Sequence, residues 1–370
     1  MAGNANLGAA RAVKNDEFYT QWNDIENEMQ AYLEYDPGVF RGKTVLLPCD
    51  DPEWSNFTRF FVHNFTAFGI KKLVSTSYMP RRNGRIFVME SGSKSDGRIE
   101  WGCLDSDGDF RSEEVTALRD EADMVITNPP FSLFREFMAW LAEGGVEFST
   151  VGSMNAITYK EIFPLIKENE MWLGASRMGA KYFTLPSNAP VKANQHEENG
   201  VRFQKFGNIA WFTNIEHGRR HEPLPLMTMD DNLLYGSKRV RETAYVKYDN
   251  YDAIEVPETK GIPSDYPGVM GVPISFLDKY SPGQFEIVSL AAGNSYANTP
   301  SEVLKFVKFV PRVPGSEGAG QGVPVARGKK VYARVLIRHR HPTIQSLSRS
   351  RGGQSSLGCK RGFSHVEVRG

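Results

Sequence analysis

Asn128-Pro129-Pro130-Phe131 is the stretch of this 370-residue chain whose residue types and spacing point most directly to chemistry. Two successive prolines fix the backbone and remove two N–H donors. The Pro129 carbonyl and the Asn128 side-chain amide can then be held rigidly towards a cleft as hydrogen-bond acceptors. An exocyclic amine presents two N–H groups to such a pair. Holding both drives its nitrogen towards a tetrahedral geometry whose lone pair can attack an electrophilic methyl group. Phe131 adds a ring face on which an extruded base can stack, worth about 1–3 kcal/mol, and this offsets part of the cost of flipping. The bland alternative is that Pro-Pro ends a strand and Phe131 is a core residue. Against it, Met124-Val125-Ile126-Thr127 reads as a central strand, and Phe134, Phe137, Met138 and Leu141 mark one face of a following helix. Open α/β sheets place their ligands at such a strand end.

The elements that must position this loop follow an alternating pattern. Residues 22–35 are rich in helix formers, with Trp22, Ile25, Met29, Tyr32 and Leu33 roughly on one face, before Pro37-Gly38. Thr44-Val45-Leu46-Leu47 reads as a buried strand stopping at Pro48. Beyond Trp54, Phe57, Phe61, Phe65 and Phe68 recur at helical spacing, with Gly69 placed as a left-handed cap. Lys72-Leu73-Val74-Ser75 is a second strand, so a right-handed parallel crossover is expected. Within the polar segment 80–112, Ile86-Phe87-Val88-Met89 suits a hairpin at the sheet edge. Phe148-Ser149-Thr150-Val151 and Ile209-Ala210-Trp211-Phe212 complete an α/β pattern. Beyond about residue 225 helical periodicity fades, and an irregular texture is expected, with tyrosines at 245, 248, 251 and 266 as packing residues.

The formal net charge of zero hides a gradient. Residues 1–150 carry 15 basic against 24 acidic side chains, whereas residues 311–370 carry 12 against 2. Arg338, Arg340, Arg349, Arg351 and Arg361 are the densest cationic group available for phosphates. Cys49, Cys103 and Cys359 are too few and scattered for a disulfide framework. No apolar run reaches the roughly 18 residues of a membrane span, and a soluble, cytoplasmic protein is expected.

Residues 128–131 resemble the Asn/Asp-Pro-Pro-Tyr/Phe motif of amino-group DNA methyltransferases. Across most of residues 14–340 the chain resembles the EcoRI-type adenine-specific methyltransferases. Lys14-Asn15-Asp16-Glu17-Phe18-Tyr19-Thr20 is similar to the family's N-terminal cofactor motif, Leu46 to Trp54 occupies the first strand-turn of the cofactor fold, and Asp107-Gly108-Asp109-Phe110 resembles the loop whose acid meets the cofactor's adenine. Gly268 to Pro273 and Phe276 to Tyr280 also look familial. The resemblance implies an α/β, Rossmann-like methyltransferase fold with a smaller C-terminal recognition region. A catalytic domain is expected at 14–222 and target recognition at 223–340, while composition alone predicts a flexible start at 1–13, small and polar, and a basic, disordered tail at 341–370, rich in Ser, Arg and Gly. S-adenosylmethionine is the implied cofactor, held by Phe18, Tyr19, Thr20, Pro48, Cys49, Asp50, Asp109 and Phe110. Asn128, Pro129, Pro130 and Phe131 are the implied catalytic residues, with no metal required. DNA is the implied partner, with room for a cognate restriction endonuclease acting on the same site.

Two departures stand out. The glycine-rich turn usual after the first strand is replaced by Asp50-Asp51-Pro52-Glu53, and the acid usual at the end of the second strand is replaced by Ser75-Thr76-Ser77, leaving those hydroxyls as candidates for the ribose. Asp50 can pair with the ammonium of the cofactor, while Asp51 equally suits helix capping. Pro48-Cys49 invites comparison with a thiolate nucleophile, but amine attack needs no covalent intermediate, so Cys49 reads as a small hydrophobe. His63 reads as a surface or satisfied histidine, and His217 and His221 beside Arg219-Arg220 read as a solvated loop. N4-cytosine methylation is the rival chemistry, because the same loop accepts either amine; Phe131 and the overall resemblance favour adenine. A protein that binds cofactor or DNA without catalysis is the rival of a different class.

Overall fold

The computed structural model describes residues 19–92, 98–176, 179–185, 195–293 and 322–343. After a two-residue strand β1 (Tyr19–Thr20) comes helix α1 (Trp22–Tyr35), which buries Ile25, Met29 and Tyr32 as its periodicity requires. Strand β2 (Thr44–Leu47) is buried over its last three residues, as a continuous β-branched and apolar run should be. Helix α2 (Asn56–Phe68) begins where the Ser55 hydroxyl accepts from the Phe57 N–H, and it ends at Gly69 with φ +66°. Strand β3 (Lys72–Thr76) then pairs parallel to β2. Strands β4 (Arg85–Glu90) and β5 (Arg98–Cys103) form the expected edge hairpin. Helix α3 (Glu113–Asp120) leads to β6 (Met124–Thr127), which is wholly buried, and helix α4 (Phe134–Gly144) leads to β7 (Glu147–Ser153).

A short helix α5 (Phe163–Lys167) and strands β8 (Trp172–Leu173), β9 (Gly179–Thr184), β10 (Gln195–Glu198) and β11 (Val201–Thr213) complete the large sheet. Its main path runs β1-β9-β11-β7-β6-β2-β3-β4-β5. From β2 the chain moves outward to β3 and later returns to β6 on the other side of β2. In open α/β sheets such a reversal marks the crevice where ligands bind, and here it falls at the carboxyl ends of β2 and β6. This is a Rossmann-like open sheet. One face buries Phe57, Phe60, Phe61 and Phe65 of α2 with Phe40, and the other buries Phe134, Phe137, Trp140 and Phe212.

Beyond two short helices, α6 (Met229–Tyr235) and α7 (Lys238–Thr243), the expectation of an irregular region is corrected. Strands β12 (Ile254–Glu255), β13 (Met270–Pro273), β14 (Phe285–Ala291) and β17 (Arg334–His339) form a four-stranded sheet, with a small hairpin β15 (Val325–Ala326) and β16 (Lys329–Lys330) beside it. β12 has only two residues and β13 ends in proline, so neither shows a readable alternation along the sequence. Tyr245, Tyr248 and Tyr251 are buried packing residues. Phe276 and Phe285 belong to the same apolar cluster as Phe134 and Phe163, so the second sheet shares its core with the first. Arg219 and Asp278 add an ion pair of 2.6 Å across that join. No helix among the described residues is long and apolar enough to cross a membrane.

One buried charge cluster locks the second sheet. The Arg334 guanidinium, 3% exposed, pairs with Glu255 at 2.6 Å, and the Tyr248 hydroxyl donates to the same carboxylate. Removing one partner of such a pair strands the other in a low-dielectric interior. Arg334→Ala is expected to lower stability by about 3 kcal/mol, measured by urea unfolding, whereas the exposed Lys238→Ala leaves it unchanged.

Candidate active site

The loop 128–131 leaves β6 at the crevice, and its position is set by a buried carboxyl group on the neighbouring strand end. Thr127, the last residue of β6, donates its hydroxyl to Asp50 Oδ2 at 2.5 Å, and Ser55 donates its hydroxyl to Asp50 Oδ1 at 2.7 Å. The backbone N–H of Asn128 also bonds the Asp50 side chain. The Cys49 N–H donates to Thr127 Oγ1 at 3.3 Å, closing the link between the two strand ends. Asp50 is 5% exposed, and burial outweighs these donors, so its carboxyl pKa is pushed up to about 7. In effect one acid ties the β2 turn, the start of α2 and the 128–131 loop into a single unit.

The hydroxyls at the end of β3 serve the same frame. Ser75 donates to the Asp50 carbonyl at 2.7 Å and shares a bond with Thr58, while Thr76 donates to the Pro48 carbonyl at 3.1 Å. Both residues are fully buried, and Ser77 accepts from the Arg85 N–H. The expectation that these side chains hold a ribose is therefore corrected for Ser75 and Thr76: their hydroxyls are spent on the backbone of the β2 turn.

That acidic turn needs no glycine because it builds its own geometry. Asp51 Oδ1 accepts from the Glu53 N–H at 2.9 Å, and the Asp51 carbonyl accepts from the N–H groups of Trp54 and Ser55. The helix cap is Ser55 rather than Asp51. Arg85 pairs with Glu53 at 2.6 Å and fixes the outside of the turn.

The N-terminal segment comes to the same place. Tyr19 and Thr20 pair with Thr184 and Phe183 of β9, and the Thr20 carbonyl accepts from the Asn56 side chain at 2.8 Å. Thr20 thus lies against the first residue of α2, and Phe18 falls outside the described residues. The loop after β5 also joins the rim, since the Met79 N–H donates to the Asp107 carbonyl at 2.7 Å. Gly108 has φ +80°, and a Cβ at Gly84 would stand 2.6 Å from the Ser77 carbonyl oxygen, so two glycines permit this close approach. Asp109 pairs with Arg111, which also reaches Glu136 of α4. Phe110 is buried edge-on against Phe137 and Trp140 and anchors the loop in the core.

Within the loop itself Asn128, Pro130 and Phe131 are half-buried and Pro129 is buried. The Asn128 amide oxygen is shielded from solvent, which strengthens any hydrogen bond it accepts. Phe131 stands edge-on to Phe183 at 6.2 Å and to Phe206 at 6.1 Å, so a trio of rings from three elements sets its orientation. Pro48 is buried and Cys49 half-buried, packed against the core.

On the rim the Asp107 carboxylate is in no ion pair among the described residues, whereas Asp109 is paired with Arg111 and burial favours the neutral form of Asp50. The Asp107 carboxylate repels a phosphate-rich cofactor and suits a cationic one, so the residues fit S-adenosylmethionine, whose sulfonium and ammonium are positive.

Thr127, Ser55 and Thr58 were not singled out by sequence. A polar residue closing an apolar strand beside the motif, and a serine one residue before a helix, were the available signals. His217 and Arg220 lie elsewhere, beyond the last residue of β11 and away from this crevice, and the expectation of a solvated loop is corrected there. His217 is buried and bonds the Leu173 carbonyl, and burial lowers its pKa. The Arg220 guanidinium lies 3.5 Å over the Trp172 ring. His63 is exposed. Arg338 pairs with Glu286 and Arg340 donates to the Pro282 carbonyl, while Arg349, Arg351 and Arg361 fall outside the described residues.

Compared with known proteins, residues 6–340 match a family model described as adenine-specific methyltransferase EcoRI. The chain is 41% identical over 314 residues to the Type II methyltransferase M.EcoRI of Escherichia coli, covering 79% of this chain and 92% of that protein. It is 37% identical over 339 residues to the Type II methyltransferase M.MpnI of Mycoplasma pneumoniae, covering 90% and 98%. A third relative, M.MgeORF184P of Mycoplasma genitalium, is 35% identical over 333 residues, covering 89% and 97%. No solved structure matches the chain.

Proposed function

Because the chain belongs to the EcoRI family of adenine-specific DNA methyltransferases, we propose that Asn128-Pro129-Pro130-Phe131 is the loop on which it methylates the N6 amine of a flipped adenine. The observation that carries this assignment is the buried Asp50, which bonds Thr127 and Asn128 and so fixes the loop against the β2 turn at the sheet's reversal point. Asn128 Oδ1 and the Pro129 carbonyl accept the two N–H groups of the amine and leave its lone pair aimed outward. Phe131, held by Phe183 and Phe206, takes the base on its face. S-adenosylmethionine, when bound, supplies the activated methyl group.

Residues Phe18 to Thr20, Pro48 to Asp50 and the Asp109-Phe110 loop are the proposed walls of the cofactor cleft. In this arrangement Phe110 acts by anchoring its loop, and Asp50 acts chiefly as the brace between cofactor turn and catalytic loop. The catalytic unit is assigned to residues 14–222 and target recognition to 223–340, with the second sheet as its scaffold. The relatives bear the name Type II methyltransferase, and a cognate endonuclease cutting the same site is the partner we assign. To test the base assignment, plasmid DNA is incubated with protein and methyl-labelled cofactor, then digested to nucleosides for mass spectrometry. Label in N6-methyladenine is expected, whereas label in N4-methylcytosine would contradict the assignment.

A further inference from the structure

Four residues beyond Phe131, in the first turn of α4, stands Arg135, an exposed cation with a fixed orientation. Its guanidinium lies 4.3 Å from the ring centroid of Tyr159, the residue that closes the short 3-10 turn Met154–Thr158 after β7. Stacking on Tyr159 restricts the long side chain while leaving its N–H edges to solvent. Two other cations of the rim are already engaged, Arg85 by Glu53, and Arg111 by Asp109 and Glu136. No carboxylate among the described residues forms an ion pair with Arg135. The same end of α4, an eleven-residue helix, carries the positive end of its dipole. A preoriented guanidinium with no carboxylate to release loses less side-chain entropy, and breaks no ion pair, when a phosphate arrives.

We propose that Arg135 holds a phosphate of the target strand beside the flipped adenine, with Tyr159 as the platform that aims it. This rests on the assignment of residues 128–131 as the base-binding loop. A planar guanidinium gives a phosphate two parallel hydrogen bonds, and such contacts fix the register of a strand without reading sequence. In an N-terminal half with excess negative charge, a cation beside the loop offsets the repulsion of the DNA backbone where the base must leave the stack.

The test uses the full chain, a short duplex containing a position that the wild type methylates, and the same duplex with a neutral methylphosphonate at each phosphate flanking that position. Arg135→Ala is expected to bind the unmodified duplex roughly 10-fold more weakly, and to flatten the slope of log affinity against log salt by about 0.9. Arg135→Lys recovers most of the slope but only part of the affinity. One methylphosphonate weakens the wild type and leaves Arg135→Ala unaffected, and cofactor affinity is unchanged in both variants. Equal salt slopes for wild type and Arg135→Ala would overturn the proposal. So would wild-type binding indifferent to every flanking methylphosphonate, a result that stands even if Arg135→Ala fails to fold. A wild type that methylates no adenine sinks the loop assignment instead, whereas normal methylation with an unchanged slope sinks Arg135 alone.

Discussion

Asn128→Ala is expected to slow methyl transfer to DNA by at least about 100-fold, the typical cost of removing one preoriented hydrogen-bonding group from a shielded site. Cofactor and DNA affinity should change little, because the backbone N–H of Asn128, which bonds Asp50, survives the substitution. On the proposed role of Asn128, the alanine variant loses only the amide that would accept from the target amine, an interaction that matters most as the amine nitrogen becomes tetrahedral. The loss should therefore appear in kcat rather than in KM. Asn128→Asp keeps an acceptor at the same place and should recover much of the activity. Steady-state kinetics on plasmid DNA, with cofactor binding followed by calorimetry, separates these outcomes. A fall in cofactor affinity parallel to the fall in rate would mean that Asn128 acts on the cofactor.

The second large effect belongs to Asp50. Asp50→Ala removes the acceptor of the Ser55 and Thr127 hydroxyls and of the Asn128 N–H, leaving three buried donors to find other partners. A loss of about 4 kcal/mol is expected, at roughly 1–3 kcal/mol for each stranded group. Asp50→Asn keeps an acceptor and supplies a donor in nearly the same shape, so it should fold, and it exposes a pH effect. In the unfolded chain the carboxyl ionises near pH 3.8, but in the fold burial holds its proton up to about pH 7. Between those values the native state binds the extra proton, so stability falls as pH rises, by on the order of 4 kcal/mol in total. Above pH 7 the loss is complete. Unfolding curves between pH 4 and pH 8 should show this slope for the wild type and lack it for Asp50→Asn. Coincident slopes would show that the carboxyl is ionised throughout, as it would be if it formed a permanent ion pair.

Much of the frame was legible in the sequence because burial is total where it matters. β2 and β6 are continuous apolar runs, and their limits coincide with the expected Thr44–Leu47 and Met124–Thr127. Gly69 closes α2 with a left-handed turn, as its position implied. The four-stranded sheet of residues 254–339 was hidden, since β12 has only two residues, β13 ends in proline, and partners lie far apart in the chain, β13 pairing with β17 across more than sixty residues. The Arg219-Arg220 segment looked solvated because charge alone gives no sign of a Trp172 ring waiting on another element. At the site, the loop and the acidic turn were visible as residue patterns. Their union through Thr127, Ser55 and Asn128 was not, because hydrogen bonds between strand ends leave no periodic trace.

The claim that everything else depends on is that the target base comes to rest on the loop 128–131. A duplex with a photoreactive 5-iodouracil in place of the methylated adenine, irradiated in complex with the protein and digested for peptide sequencing by mass spectrometry, locates that base. The crosslink should fall on Phe131 or on its immediate neighbours in the loop. A crosslink confined to the second sheet, with the peptide containing Asn128 to Phe131 unmodified, would contradict the account.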